Sequence, residues 1–207
     1  MGSLYIPLVN GDEKGYTAYS GKLDNGKALV DFYGKGTVKY LTQQCNEMKS
    51  EGADILGMSS EITIRKTDEN DRYLTYESFS SSFLGGAHGT TVIYSTNISK
   101  ITGRTLTQTV DTLKAKALQP LLRKGVVSYL RKLGEKSVND KNLGEYLFIE
   151  NGIIPMPATM PYLAKDGVHF VYQQYEIGPY AMGIVEFTVP YAEIKQYLTD
   201  DAKKLIE

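Results

Sequence analysis

Asp166-Gly167 is a turn pair set between the apolar run Tyr162-Leu163-Ala164 and an alternating run from Val168 to Ile177, and this commits the C-terminal half to an antiparallel hairpin. Val168, Phe170 and Tyr172 fall on one face of the long strand, while His169, Val171, Gln173 and Tyr175 fall on the other. Next to it, Val185, Phe187 and Val189 mark one side of a further strand. That strand runs into a helix opened by Pro190, with Tyr191, Ile194, Tyr197 and Leu198 at helical spacing.

The rest of the chain mixes both periods. Val38, Leu41, Cys45 and Met48 recur at helical spacing within Gly36 to Lys49, with Gly52 just past the end, which places Cys45 on a buried stripe as an inert thiol. Ile62 and Ile64 alternate with Glu61, Thr63 and Arg65, and Arg72 to Phe79 reads as a second strand. The link Thr67-Asp68-Glu69-Asn70-Asp71 lacks the alternating ligands, central glycine and terminal glutamate of an EF-hand loop, so it reads as a solvated turn. Val92, Tyr94, Thr96 and Ile98 fall on one side of a strand ending near Thr102-Gly103-Arg104. Val110, Leu113 and Ala117 then form a helical stripe that Val126, Leu130 and Leu133 resume. Pro120 interrupts it, which predicts two helices meeting at Gln119-Pro120 or one kinked there. Basic residues at 114, 116, 123, 124, 131 and 132 read as the wet face of this region, with an anionic-ligand patch as the other reading. Residues 134 to 161 are loop-rich, with Pro155, Pro157 and Pro161. Strands that cluster and helices that segregate give an α+β fold with a largely antiparallel sheet. A small α+β region over residues 1–84 and a C-terminal α+β domain over 85–207 are expected, as two domains or packed as one unit.

Composition restricts the chemistry. Net charge −1 and a pI near 6.2 offer no broad basic face for phosphate backbones, so nucleic acid is not an expected partner. Sixteen Tyr against six Phe and no Trp suit strands with one wet face, or a stacking surface for sugars or a protein partner. A single cysteine excludes an internal disulfide and a cysteine-based zinc site, and two histidines exclude a three-histidine metal centre. No metal or cofactor is expected. Apolar runs are too short for a membrane helix, and Met1-Gly2-Ser3 reads as a leader added for expression, leaving room upstream for a signal peptide or lipid anchor.

Gly34-Lys35-Gly36-Thr37 has a glycine between the lysine and the threonine and so departs from a phosphate loop. Two other stretches set a chemically capable residue on constrained backbone. In Gly85-Gly86-Ala87-His88-Gly89, flanking glycines keep His88 accessible, as a ligand contact or as a ring serving its own turn. In Tyr175-Glu176-Ile177-Gly178-Pro179-Tyr180-Ala181-Met182-Gly183, Glu176 reads either as an acceptor for backbone donors of the Gly178-Pro179 turn or as a ligand-facing or acid/base group. His169 reads as a half-buried sheet residue.

These two stretches, together with Gly167-Val168-His169-Phe170-Val171-Tyr172 and Val189-Pro190-Tyr191, resemble a bacterial extracytoplasmic domain family over roughly residues 80 to 198. That family includes the extracellular domain of the lysozyme-sensing anti-sigma factor and the accessory domain of a peptidoglycan deacetylase, usually preceded by a small α+β partner domain. The resemblance implies an envelope location, periplasmic or at the cell surface, and a non-catalytic binding role toward a cell-wall glycan or a lysozyme-like protein. The sigma-binding segment and the deacetylase's metal ligands have no counterpart in this sequence. His88, Tyr175, Glu176 and Tyr180 are then the expected ligand contacts, and Gly85, Gly86, Gly89, Gly178, Pro179 and Gly183 the backbone that presents them. Two other functions fit the same residues. One is a hydrolase or transferase on envelope glycan with His88 and Glu176 as acid/base pair, and the other is an architectural envelope module.

Overall fold

A computed structural model describes residues 39, 42–44, 46–52 and 59–207. Two three-stranded sheets organise them: β1 (Ser59–Glu69), β2 (Tyr73–Phe83) and β3 (Thr90–Ser99) in one, and β4 (Tyr162–Ala164), β5 (Gly167–Tyr172) and β6 (Val185–Val189) in the other. Both are antiparallel and are accompanied by several helices, so the fold is α+β. Residues 39, 42–44 and 46–50 are helical, but Val38, Leu41 and Cys45 of the expected stripe lie outside the described residues, as do Met1-Gly2-Ser3 and Gly34-Lys35-Gly36-Thr37. Contacts divide the chain into two compact units, one ending at residue 66 and resuming over 76–93, the other made of 67–75 and 94–207.

In the first unit, Ile62 and Ile64 are buried while Glu61 and Arg65 are exposed, the alternation a half-buried strand requires. Across the β1–β2 pair, Arg65 donates from Nε at 2.9 Å and Nη2 at 2.7 Å to Oε1 of the buried Glu77.

The second unit holds a core of its own. Val168, Phe170 and Tyr172 of β5 and Val185, Phe187 and Val189 of β6 are buried on one face, with the Phe170 and Phe187 rings stacked at 5.4 Å. The hairpin forms one residue earlier than the sequence suggests: Lys165 and Asp166 make the loop and Gly167 pairs with Ala164. A Cβ on Gly167 would lie 2.2 Å from the Val189 carbonyl oxygen, so this position needs glycine for space. β5 also stops at Tyr172 rather than Ile177, because the chain turns there.

α1 (Ala115–Lys132) lies on this face through Leu118, Leu122, Val126 and Leu130. It is a single helix with Pro120 inside it. Of the expected stripe, Val126 and Leu130 hold their place on this buried face and the other positions do not. Leu113 is 94% exposed, Ala117 and Leu133 face solvent, and Val110 instead bridges Leu198. Thr112–Lys114 is a 3-10 turn, so the α-helical period begins only at Ala115 and does not extend back to Val110 and Leu113. A similar break divides the C-terminal helix. α2 (Tyr191–Ile194) is one turn, a 3-10 turn over Lys195–Tyr197 follows, Leu198 is extended at ψ 151°, and α3 (Asp200–Ile206) is capped by Thr199, whose Oγ1 accepts Ala202 N–H at 3.2 Å.

Side chains, not strands, hold the loop-rich stretch over residues 134–161. Gln119 takes both backbone groups of Ile154, accepting its N–H at 2.9 Å and donating to its carbonyl at 2.8 Å. Arg131 donates from Nε at 3.0 Å and Nη2 at 2.9 Å to the Val138 carbonyl, and Arg123 holds Asp140 and the Gly152 carbonyl. Two of the helix's cations therefore fasten this stretch, the half-buried Arg123 and Arg131, which stays on the exposed face. Asn97, fully buried near the end of β3, accepts Leu163 N–H at 2.7 Å and donates to its carbonyl at 3.0 Å. This corrects the expected one-sided strand: Asn97, Ile98 and Ser99 are all buried, whereas Tyr94 is 46% exposed.

Candidate functional site

Beyond Tyr172 the chain folds into two linked turns, and the residues expected to bind ligand occupy them. Glu176 N–H donates to the Gln173 carbonyl at 3.1 Å, and the Glu176 side chain returns the favour, its Oε2 accepting Gln173 N–H at 2.7 Å. Its other oxygen accepts Ala158 N–H at 2.6 Å. The carboxylate thus serves backbone donors, as one reading of the sequence has it, but the donors are Gln173 and Ala158 and not the Gly178-Pro179 turn. Pro179 has no N–H to give.

Between Gln173 and Glu176 the backbone reverses through Tyr175, which sits at φ 66°. A non-glycine residue in this left-handed region carries a cost of order 1–3 kcal/mol and persists only where its surroundings enforce it. Here the enforcing group is Glu176. The Tyr175 ring is 54% exposed and lies 5.6 Å from that of Tyr180, tilted by 38°.

The second turn is anchored from below. Tyr180–Met182 is a 3-10 turn closed by Gly183 at φ 67°, and Tyr129 Oη donates to the Met182 carbonyl at 2.6 Å. Ile177 and Met182 are buried. A Cβ at Gly178 would lie 2.1 Å from Met182 Sδ, so any other residue there must displace that buried side chain. Phe148 N–H donates to the Ile177 carbonyl at 2.8 Å, bringing Phe148, 65% exposed, alongside these turns. Sequence reasoning missed Phe148, whose only signal was its place in the short apolar run Tyr146-Leu147-Phe148-Ile149.

Beneath the turns, Tyr172 is fully buried and its Oη donates to the Pro155 carbonyl at 2.9 Å. Burial, and then the nearby Glu176 carboxylate, push its ionisation well above the ordinary tyrosine range. Burial and then Glu186 also raise Tyr129. Both phenols stay protonated and act as fixed donors.

Gly85-Gly86-Ala87-His88-Gly89 belongs to the first unit, on the loop joining β2 to β3. Gly85 and Gly86 both sit at φ 92°, and Gly89 lies where a Cβ would be 2.9 Å from the Ser82 carbonyl oxygen. His88 is exposed, with Nδ1 3.1 Å from the Gly89 carbonyl oxygen. Tyr175, Glu176 and Tyr180 are thus brought together in one unit, and His88 is carried by the other.

His169 is half-buried on the sheet face opposite the core, as expected. Its Nε2 lies 2.7 Å from Asp166 Oδ1 and 3.1 Å from Thr188 Oγ1, while Nδ1 lies 3.8 Å from Glu186 Oε1, an ion-pair distance too long for a hydrogen bond. Burial opposes its charge, but the two carboxylates outweigh it and raise its ionisation above the ordinary histidine value. No group of three or more metal-ligating side chains occurs among the described residues, and no helix among them is long and apolar enough to cross a membrane.

No curated protein matches the chain. Two solved structures share its fold. A member of the DUF3298 family from Bacteroides fragilis is 23% identical with a TM-score of 0.60, covering 87% of this chain and 71% of its own. A DUF3298 family protein from Pseudomonas aeruginosa is 19% identical with a TM-score of 0.56, covering 76% and 69%. The family model described as a protein of unknown function (DUF3298) matches residues 111–192, which hold α1, the β4-β5-β6 sheet and both turns. Over those residues the chain is similar to the DUF3298 family, and the likeness to the two solved structures is one of fold.

Proposed function

We propose that the chain is a non-catalytic binding domain of a bacterial envelope protein, and that Tyr175 and Tyr180, with Phe148 beside them, form the surface that takes a cell-wall glycan. The observation that carries this reading is Tyr175: an exposed aromatic ring on left-handed backbone, paired with a second ring and pinned by a carboxylate that spends both oxygens on backbone donors. Backbone strain that holds a paired aromatic ring out at the surface supports use by a ligand. Aromatic faces with a polar tip suit sugar rings, whose C–H surfaces stack while hydroxyls remain wet. Glu176, occupied twice over, supports a positioning role over proton transfer. The extracytoplasmic location rests on the resemblance of the two glycine-rich stretches to envelope domains.

Sedimentation of the protein with purified peptidoglycan, and titration with soluble muropeptide fragments, test this. Tyr175→Ala and Tyr180→Ala should each weaken binding roughly tenfold or more, since a stacked ring contributes on the order of 1–1.5 kcal/mol beyond its buried area. His88→Ala asks whether the first unit adds a contact. A lysozyme titrated in parallel separates the protein partner from the glycan. If neither is bound by the unmodified chain, the reading fails.

A further inference from the structure

The β4-β5-β6 sheet has two edges, and the chain treats them differently. On the β4 edge, both backbone groups of Leu163 are taken by the Asn97 side chain, with Thr75 Oγ1 adding a bond to the carbonyl at 2.9 Å. Those bonds also fix the direction of every other backbone group in the sheet. Leu163 faces away from β5, so Tyr162 with His169 and Ala164 with Gly167 are the hydrogen-bonded pairs. The Val171 carbonyl, on the same side of β5 as His169 but past the end of β4, is met by Thr159 Oγ1 at 2.8 Å, as this alternation requires. Val168, Phe170 and Tyr172 therefore bond to Val189, Phe187 and Val185 of β6. By the same alternation, the N–H and C=O of Thr188 point outward, to an edge that no strand pairs with among the described residues.

That edge opens on a groove of about 340 Å³. Leu121 and Gly125 of α1 and Phe187 of β6 supply apolar surface, and Lys124, Ser128 and Lys132 stand along the helix at every fourth residue. Lys124 Nζ is neutralised by Glu193 at 2.8 Å, whereas Lys132 makes no ion pair among the described residues. The groove thus has unused backbone donors and acceptors on one wall and an unneutralised cation on the other. Strand addition supplies main-chain bonds for the first, and a carboxylate answers the second.

We propose that the outer edge of β6 accepts an extended acidic peptide segment of a protein partner as an added strand, bonded to the Thr188 backbone with a carboxylate facing Lys132. This site is separate from the tyrosine turns and does not depend on what they bind. β6 has only five residues and is closed by Pro190, so the added strand is short and the affinity modest.

An array of decapeptides that alternate β-branched residues with Asp, Asn or Lys, titrated against the whole chain, tests the proposal. Acidic members should bind in preference to basic ones. N-methylation of alternate peptide residues should cost roughly tenfold, the worth of one or two main-chain bonds. Lys132→Glu should weaken acidic peptides by roughly three- to tenfold, more at low salt. Thr188→Pro removes an outward donor that β5 does not use and should also abolish binding; the N-methylated peptides give the same readout if that variant does not fold. The proposal is overturned if no array member binds at ~1 mM, about −4 kcal/mol. It is equally overturned if N-methylated or basic members bind as well as their acidic counterparts. Self-association in sedimentation that Thr188→Pro abolishes would show instead that a second copy of the chain occupies the edge.

Discussion

Replacing Asn97 with alanine removes the one side chain that stands in for a neighbouring strand at the β4 edge. Three bonds go: Leu163 N–H to Oδ1 at 2.7 Å, and Nδ2 to the Leu163 carbonyl at 3.0 Å and to Thr75 Oγ1 at 2.8 Å. The losses are unequal. The Leu163 carbonyl keeps Thr75 Oγ1, but the Leu163 N–H is left buried with no partner, at a cost of about 1–3 kcal/mol. The two Nδ2 bonds and the small cavity add on the order of 1 kcal/mol more. A total of about 2–4 kcal/mol corresponds to a fall in Tm of roughly 10 °C for a chain of this size. Urea unfolding followed by far-UV circular dichroism measures it, with tyrosine fluorescence as a second probe because the chain has no tryptophan. Thr75→Val is the internal control. It removes one of two donors to the carbonyl and leaves the N–H satisfied, so it should cost about 1 kcal/mol. Amide exchange at Leu163 should accelerate in Asn97→Ala and not in Thr75→Val. An Asn97→Ala variant within about 0.5 kcal/mol of the parent, or a Thr75→Val variant just as damaged, would refute the assignment of Asn97 as the cap of this edge.

Three further outcomes follow from the same geometry. Gly125→Ala should destabilise by about 1–3 kcal/mol through overpacking, although alanine is the better helix former by ~1 kcal/mol, because the added Cβ would lie 2.1 Å from Phe187 Cδ2; a thermally more stable variant would contradict the packing of α1 on β6. Glu176→Ala should leave the part-buried Gln173 N–H without its acceptor and hand the exposed Ala158 N–H to water, cost about 1–3 kcal/mol and weaken ligand binding together with stability. Glu176→Gln keeps an acceptor and should lose less, and binding that survives both changes would remove Glu176 as the group that positions Tyr175. His169 ionises above its ordinary 6.5 in the folded chain, so its charged contacts with Asp166 and Glu186 stabilise fully below about pH 6.5 and are lost as pH rises through the raised folded value. Unfolding free energies across pH 5 to 9 should show the parent and His169→Gln converging on the alkaline side. A gap that widens there would reverse the sign argued for the cluster.

Where period-two or 3.6-residue periodicity operates over a buried face, the sequence carried the fold. Val168, Phe170 and Tyr172, and Val185, Phe187 and Val189, were legible as core because each strand buries one face on the same helix. The helix stripe failed at Val110 and Leu113 because a 3-10 turn breaks the period just before Ala115, and no residue there announces it. The strand beyond Tyr172 failed for a different reason: an alternating run continues through Gln173 and Tyr175, but Glu176 captures the Gln173 N–H and reverses the chain. In the candidate site, the glycines were visible and their separate reasons were not. Gly183 is needed for its dihedral and Gly178 leaves room for Met182, and only coordinates distinguish them. The Tyr175–Tyr180 pairing was within reach of the sequence, whereas Phe148 was not, since it joins them through a single backbone bond.

Among the described residues, Tyr94 keeps a wet strand face, while other tyrosines are buried or fasten backbone through their phenols. Tyr73, Tyr162 and Tyr172 are buried, and the phenols of Tyr129, Tyr172 and Tyr191 each donate to a backbone carbonyl, of Met182, Pro155 and Ala164 respectively. Burial raises the ionisation of Tyr191 to about 12, so this donor remains in place through the neutral range. Phenylalanine would fill the same volume but leave those carbonyls without a partner, a loss of order 1–3 kcal/mol where they are buried. With Asn97, Gln119 and Arg131 also donating to backbone carbonyls, and Glu176 accepting backbone N–H groups, the long irregular stretch between α1 and β4 and the turns after β5 are fixed by side-chain bonds in place of a ladder. An exposed aromatic pair held on such a framework does not have to be ordered by its ligand, and that is the physical condition for a loop to bind at low entropic cost.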